Sequence, residues 1–306
     1  MYAVVMAEFG GPDVLRLRQV PDPLPGPGQV LVDVRFAGIT FVEAQIRSGY
    51  GPFRPPLPRV PGNGVGGRIV SVGPGVDAGL VGAQVVTTTG GTGGYAELAV
   101  ASAEDVVPVP SGVALRDAVA LLADGRTALL LHSAAAVKAG EQVLVLAAAG
   151  GLGSLLVQLA VSSGARVVGA ARGKASLIIG LGAEHVVDYS RPDWAQQVVS
   201  ASGGVDVVFD GVGGPVGAQA LTTIRSGGRI SIHGMASGSY TEPGDVTVVD
   251  ADGAATPSLS EQALRLAAAG ALRPVIGQTY PLAAVAEAHR AIDTRATVGK
   301  TLLVVS

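Results

Sequence analysis

The chain has 306 residues, with 21 Lys and Arg against 24 Asp and Glu and a formal net charge of −3, enough length for two cores of roughly 100–200 residues each. Its scattered cations form no basic face for nucleic acid, and no apolar run reaches the roughly 18–20 residues of a membrane span, so neither partner is expected. The absence of cysteine removes disulfides, thiolate zinc sites and a cysteine nucleophile.

The first ten residues lack a basic segment and reach Glu8 early. No secretory leader is read there, and a cytoplasmic location is expected. Up to about Pro110 the pattern is short and Val-rich, with strands predicted at Tyr2–Ala7, Val14–Val20, Gln29–Ala37, Gly67–Val72, Ala83–Thr88 and Tyr95–Ala101. Pro and Gly clusters separate them, which predicts a β-barrel-like domain. One helix is predicted at Thr40–Arg47. Pro52, Pro55, Pro56, Pro58 and Pro61 then rule out helix or central strand and predict a stiff loop.

From about Leu115 strand and helix alternate, which predicts a parallel sheet covered on both faces. The strands are Gln142–Ala147, Arg166–Ala170, His185–Asp188, Val205–Phe209 and Arg229–His233. The helices are Leu152–Ser162, a stretch ending at Leu181, Asp193–Ala201 and Val216–Arg225. Beyond Ser258 come a helix at Glu261–Ala269, a strand at Val275–Tyr280, a helix at Leu282–Ile292 and a last strand at Thr301–Val305. This tail is expected to rejoin the first domain. The expected borders are 1–121 with 257–306 for the β-rich domain and 122–256 for the doubly wound one.

The strongest local signal is the strand Val143–Leu146 running into Ala147-Ala148-Ala149-Gly150-Gly151-Leu152-Gly153 and opening an amphipathic helix. This is a dinucleotide fingerprint with Ala148 at the first glycine position. Gly150 admits a pyrophosphate to the backbone, Gly153 lets helix pack on strand, and the helix N-terminus offers amides to phosphate. The next strand ends in Ala170 and Ala171, where NAD sites place Asp or Glu for the ribose 2′-hydroxyl. Arg172 and Lys174 follow, and they suit a 2′-phosphate. NADPH is therefore the expected cofactor; two solvated cations at a helix start are the bland alternative.

Several segments together resemble the zinc-independent medium-chain dehydrogenases/reductases, in particular the quinone oxidoreductases and zeta-crystallin. They are Ala37–Glu43 with Arg47–Tyr50, Pro61–Gly67, Gly93–Glu97, Val137–Glu141, Gly182–Tyr189, Pro274–Leu282, Ala288–Arg290 and Gly299–Lys300. The likeness implies a GroES-like β-rich catalytic domain from both chain ends, a central Rossmann domain and a homodimer formed through a sheet edge near Val246–Val249. It also implies Tyr189 and Lys174 near the adenosine 2′-phosphate. Thr127 against the nicotinamide, His233 at a strand end on the cofactor side of the sheet and Arg295 are further expected cofactor residues. Zinc-dependent relatives place Cys and His where this chain has Thr40 and Asn63, which are poor zinc ligands. Gly64 departs from the family pattern, replacing a common acid, and the stretch between His233 and Ser258 is short.

Without a metal, hydride delivery needs an acceptor that is already electrophilic, and the protein contributes orientation and hydrogen bonds to a developing oxyanion. Thr40, Tyr50 and Asn63 are the expected pocket donors. Each has a bland alternative, as helix cap, loop aromatic and turn residue. The expected activity is NADPH-dependent reduction of a small quinone or enone. Enoyl reduction of a polyketide or thioester-linked intermediate, and a binding protein without turnover, are the alternatives. Gly299-Lys300-Thr301 ends like a P-loop, but Thr294 stands at the first glycine position and a strand follows. No Ser has Gly two residues to either side, so no nucleophile elbow is read.

Overall fold

The structure is a computed structural model that describes residues 1–51, 53–251 and 256–305; Pro52 of the expected proline loop and residues 252–255 of the short stretch lie outside them. In chain order the elements are β1 (Tyr2–Met6), β2 (Leu15–Gln19), β3 (Gln29–Ile39), α1 (Phe41–Ser48), β4 (Gly64–Val72), β5 (Gln84–Thr88), β6 (Leu98–Ser102), β7 (Val107–Pro108) and α2 (Leu115–Ala135). Then follow β8 (Gln142–Leu146), α3 (Gly151–Ser162), β9 (Arg166–Ala170), α4 (Ala175–Gly180), β10 (His185–Val187), α5 (Trp194–Ser202), β11 (Val205–Asp210), α6 (Gly214–Leu221), β12 (Ile224–Ile232) and β13 (Thr247–Val248). The chain closes with α7 (Pro257–Ala268), β14 (Ile276–Pro281), α8 (Val285–Asp293) and β15 (Lys300–Val304). Two compact units divide it, Met1–Arg126 with Thr256–Ser306, and Thr127–Ala255.

The first unit is GroES-like. Its main sheet runs β14-β15-β3-β4-β5-β7, with β6 also on β3, while β1 and β2 pair apart. On β3 the alternate residues Val30, Val32 and Val34 are fully buried, the period of two that turns one face of a strand inward. They meet Ile69, Val85, Tyr95 and Leu303 in one core. Gly67 pairs with Val34, and a Cβ there would lie 1.9 Å from the Asp33 carbonyl oxygen; close approach of β4 to β3 requires glycine at that point. The tail rejoins this sheet because β15 pairs with β3 and β14 with β15.

The strand expected at Tyr95–Ala101 starts only at Leu98. The Tyr95 N–H donates to the Pro61 carbonyl at 2.9 Å and its carbonyl accepts from Val4 N–H at 2.9 Å, so its backbone serves the Pro61–Asn63 turn and β1. The phenol is thereby carried into the core, fully buried.

The second unit is Rossmann-type, with the parallel order β10-β9-β8-β11-β12-β13. All five residues of β8 are buried, as they must be in a strand covered on both faces. Leu144, Val168, Trp194, Val208 and Ile230 form the core, and the Trp194 indole N–H donates to the Gln219 side-chain carbonyl. The helix expected to reach Arg225 stops at Leu221, because Ile224 already pairs with Val205 and opens β12. Among the described residues no helix is long and apolar enough to cross a membrane.

Candidate active site

Gly150 caps α3 with extended backbone, and its N–H donates to the Ala147 carbonyl at 2.8 Å, closing the turn that leaves β8. Ala147 itself adopts φ 51°, a left-handed value that a residue other than glycine adopts at a cost of order 1–2 kcal/mol. A Cβ on Gly153 would lie 2.3 Å from the Ala147 carbonyl oxygen. Helix and turn are thus so close that only hydrogen fits. The result is a row of first-turn amides, those of Gly151, Leu152 and Gly153, with no partner inside the helix, at the end of a parallel strand where anions bind.

Beside this turn, β9 ends at Ala170 and the buried Ala171. Arg172 is exposed and Lys174 half-buried; Lys174 caps α4 at φ 69°, and burial lowers its ammonium pKa from the usual lysine value. Tyr189 packs on the edge of the core. Close by, Asp188 accepts from the Ser190 hydroxyl at 2.6 Å and N–H at 2.9 Å and from Gly173 N–H at 3.4 Å. Those bonds and the nearby Arg172 charge hold its carboxyl below the usual range.

His233 follows β12, and its Nδ1 is buried with no hydrogen-bond partner. Burial lowers its pKa to about 4, against the opposing pull of Asp210. Asp210 is fixed by Val212 and Gly213 N–H, both at 2.8 Å, and by the Thr241 hydroxyl at 2.5 Å. An orphaned neutral imidazole nitrogen after a strand of a parallel sheet, together with the glycine cradle, fits a dinucleotide at this edge.

In the GroES-like unit Thr40 caps α1. Its N–H donates to Glu43 Oε2 at 2.6 Å and its hydroxyl to the same oxygen at 3.0 Å. Glu43 Oε1 accepts from the Asn63 N–H at 2.9 Å, while Asn63 Oδ1 accepts from Gly91 N–H at 2.7 Å. One buried carboxylate therefore ties the start of α1 to the Pro61–Asn63 turn and leaves the Asn63 Nδ2 amide as donor. Burial raises the Glu43 carboxyl pKa despite these bonds and the Lys300 charge. The Tyr95 hydroxyl lies 3.3 Å from His289 Nε2, and burial, then the charge of Glu43, push it well above the usual phenol range.

Thr40 and Asn63 line one small hollow with Gly64, Thr88, Leu122 and Lys300. Its volume of about 20 Å³ accepts about one water molecule. Tyr50 is not among its lining residues and is 83% exposed after α1. Thr127 is half-buried on α2 and Arg295 exposed after α8. Among the described residues no three His, Asp or Glu side chains are grouped to hold a metal ion.

Sequence reasoning passed over Lys300 and Asp124 as site residues and read Glu43 only as part of a motif. Lys300 is 4% exposed and its Nζ lies 2.9 Å from Asp124 Oδ1. A lysine placed next to the terminal apolar strand was the available signal, since a cation at such a position must find a partner.

The chain matches the alcohol dehydrogenase GroES-like domain over residues 26–111 and the zinc-binding dehydrogenase family over residues 181–303. It is 34% identical to a quinone oxidoreductase of Rattus norvegicus over 99% of this chain and 97% of the relative. It is 33% identical to a 2-haloacrylate reductase of a Burkholderia species over 98% of each. The solved Escherichia coli quinone oxidoreductase complexed with NADPH superimposes over the whole of both chains with a TM-score of 0.92 at 28% identity. A GroES-like unit joined to a six-stranded Rossmann sheet is the build of a two-domain oxidoreductase. The chain belongs to the medium-chain dehydrogenase/reductase family, among the quinone oxidoreductases.

Proposed function

We propose that the protein is an NADPH-dependent reductase that passes hydride to a quinone or to the β-carbon of an α,β-unsaturated carbonyl compound without a metal ion. The observation that carries this reading is the cradle of Gly150, Gly151, Leu152 and Gly153 followed by Ala170 and Ala171, with Arg172 and Lys174 in place of an acid. Those amides hold the pyrophosphate, Lys174, Arg172 and Tyr189 the 2′-phosphate, and His233, Thr127 and Arg295 complete the cofactor set. When bound, NADPH supplies the hydride.

Thr40 and Asn63 orient the acceptor's carbonyl oxygen, held in place by Glu43. Neither is a good zinc ligand. Tyr50 is an exposed donor outside that hollow. The relatives named quinone oxidoreductase and 2-haloacrylate reductase support an electron-poor conjugated acceptor. The exposed two-residue strand β13 ends the Rossmann sheet, and a homodimer through that edge belongs to the same proposal; light scattering that shows a monomer would remove it.

Following NADPH absorbance with a panel of quinones and simple enones tests the reading. Steady turnover that survives chelation is the expected result. NADPH binding with no turnover on the panel, turnover with thioester-linked substrates only, or a stoichiometric zinc ion would overturn it.

A further inference from the structure

The hollow that holds Thr40 and Asn63 is also lined by a buried cation, Lys300. Three features build it there. Gly38 lets the lysine stem pass, since a Cβ on it would lie 3.3 Å from Lys300 Cε. Gly64 keeps the opposite side open toward Leu122, where a Cβ would lie 3.3 Å from Cδ2. Asp124 on α2 balances the ammonium at 2.9 Å, and Glu43 adds its own attraction. A buried pair of this kind contributes little net stability, and an apolar pair of similar volume serves folding as well or better. A cation retained at a hollow with room for about one water points to use in the reaction.

We infer that Lys300 is a positioning residue for reduction. Through a water of the size the hollow accepts, its ammonium supports the negative charge that develops on the acceptor's carbonyl oxygen beside Thr40 and Asn63. This rests on the function proposed above. In that reaction the enone gains hydride at its β-carbon from the reduced nicotinamide, which is oxidised. The C=C pair shifts to make the enolate, the carbonyl pair moves onto oxygen, and a proton from solvent water then adds at the α-carbon. The fixed charge of Lys300 offsets the cost of that oxyanion.

The test is the double variant Lys300→Met/Asp124→Leu, which removes both partners of that ion pair together. Expected are an unchanged thermal midpoint and NADPH affinity, with kcat on simple enones reduced by about 10²–10³-fold, as for loss of an oxyanion donor. The loss should shrink with strongly electrophilic quinones, whose reduced oxygen needs less support, and Lys300→Arg should retain most of the activity. Near-wild-type activity of the double variant, or an equal loss with every acceptor, overturns the assignment. Should the double variant not fold, the wild-type protein decides with 4-nitrophenol as probe. A bound phenolate at a pH where the free phenol is protonated supports the cation, and a probe that binds only as phenol, or not at all, overturns it. Failure of the wild-type protein to turn over any acceptor sinks the functional proposal and this inference with it; a fully active double variant sinks this inference alone.

Discussion

Lys174 and Gly153 make the cofactor argument testable at single positions. Lys174→Ala removes a charge-assisted bond worth about 1.5–3 kcal/mol, so NADPH is expected to bind roughly 10–100-fold more weakly, with NADH nearly unaffected. Titration by nucleotide fluorescence checks this, and equal weakening of both would remove the case for a 2′-phosphate site. At Gly153 a Cβ would lie 2.3 Å from backbone oxygen, so Gly153→Ala must shift α3 on its turn. The expectation is at least tenfold weaker NADPH binding by calorimetry. Thr40 and Asn63 could be picked from the chain only through the family resemblance, at the positions where zinc-dependent relatives place Cys and His. The carboxylate that holds both, Glu43, needed three dimensions, since the Asn63 contact spans twenty residues of sequence.

Among the elements, β3 and β4 carry the GroES-like sheet, and Gly67 is where they come closest. Gly67→Ala sets a methyl 1.9 Å from the Asp33 carbonyl oxygen, which costs at least the ~1–3 kcal/mol of an overpacked core. The predicted result is a lower calorimetric midpoint for the unit that contains it, with NADPH affinity close to wild type; the opposite pattern would show that the strand contact is dispensable. The sequence reading found most strands and helices because their apolar periods were clean. It missed α2 as an element, although that helix runs for 21 residues. Its stretch Ala118–Leu122 is buried throughout, so apolar residues fall on every side and no 3.6-residue stripe stands out. Tyr95 reads as strand because it opens a short apolar run after a Gly cluster, and only the pairing with Pro61 and Val4 shows that it belongs to a turn.

Across the whole molecule, two histidines with lowered pKa values weaken the fold as pH falls. His289 is lowered to about 3, chiefly by burial and then by the Arg47 charge, and His233 to about 4 by burial. In the unfolded chain both titrate near the ordinary histidine value of about 6.5. Between that value and the folded one the unfolded state binds more protons, so stability falls as pH falls. Their contribution is fully present above pH ~6.5 and is lost progressively toward pH ~3–4. Thermal melts from pH 7 to pH 4 should show falling midpoints, and His289→Gln should flatten the trend for the GroES-like unit. A midpoint independent of pH in both proteins would contradict this burial.

What the sequence determined alone was the class of each half. Val-rich runs broken by Pro and Gly read as a β-rich domain, and alternating strand and helix around Gly150–Gly153 as a nucleotide fold, because periodicity and turn chemistry are local. The absence of cysteine was equally plain. Tertiary structure decided the pairing of Lys300 with Asp124, the grip of Glu43 on Thr40 and Asn63, and the orphaned nitrogen of His233. Those are contacts between residues far apart in the chain, and whether a polar group is buried, and against what, is set only when the elements pack.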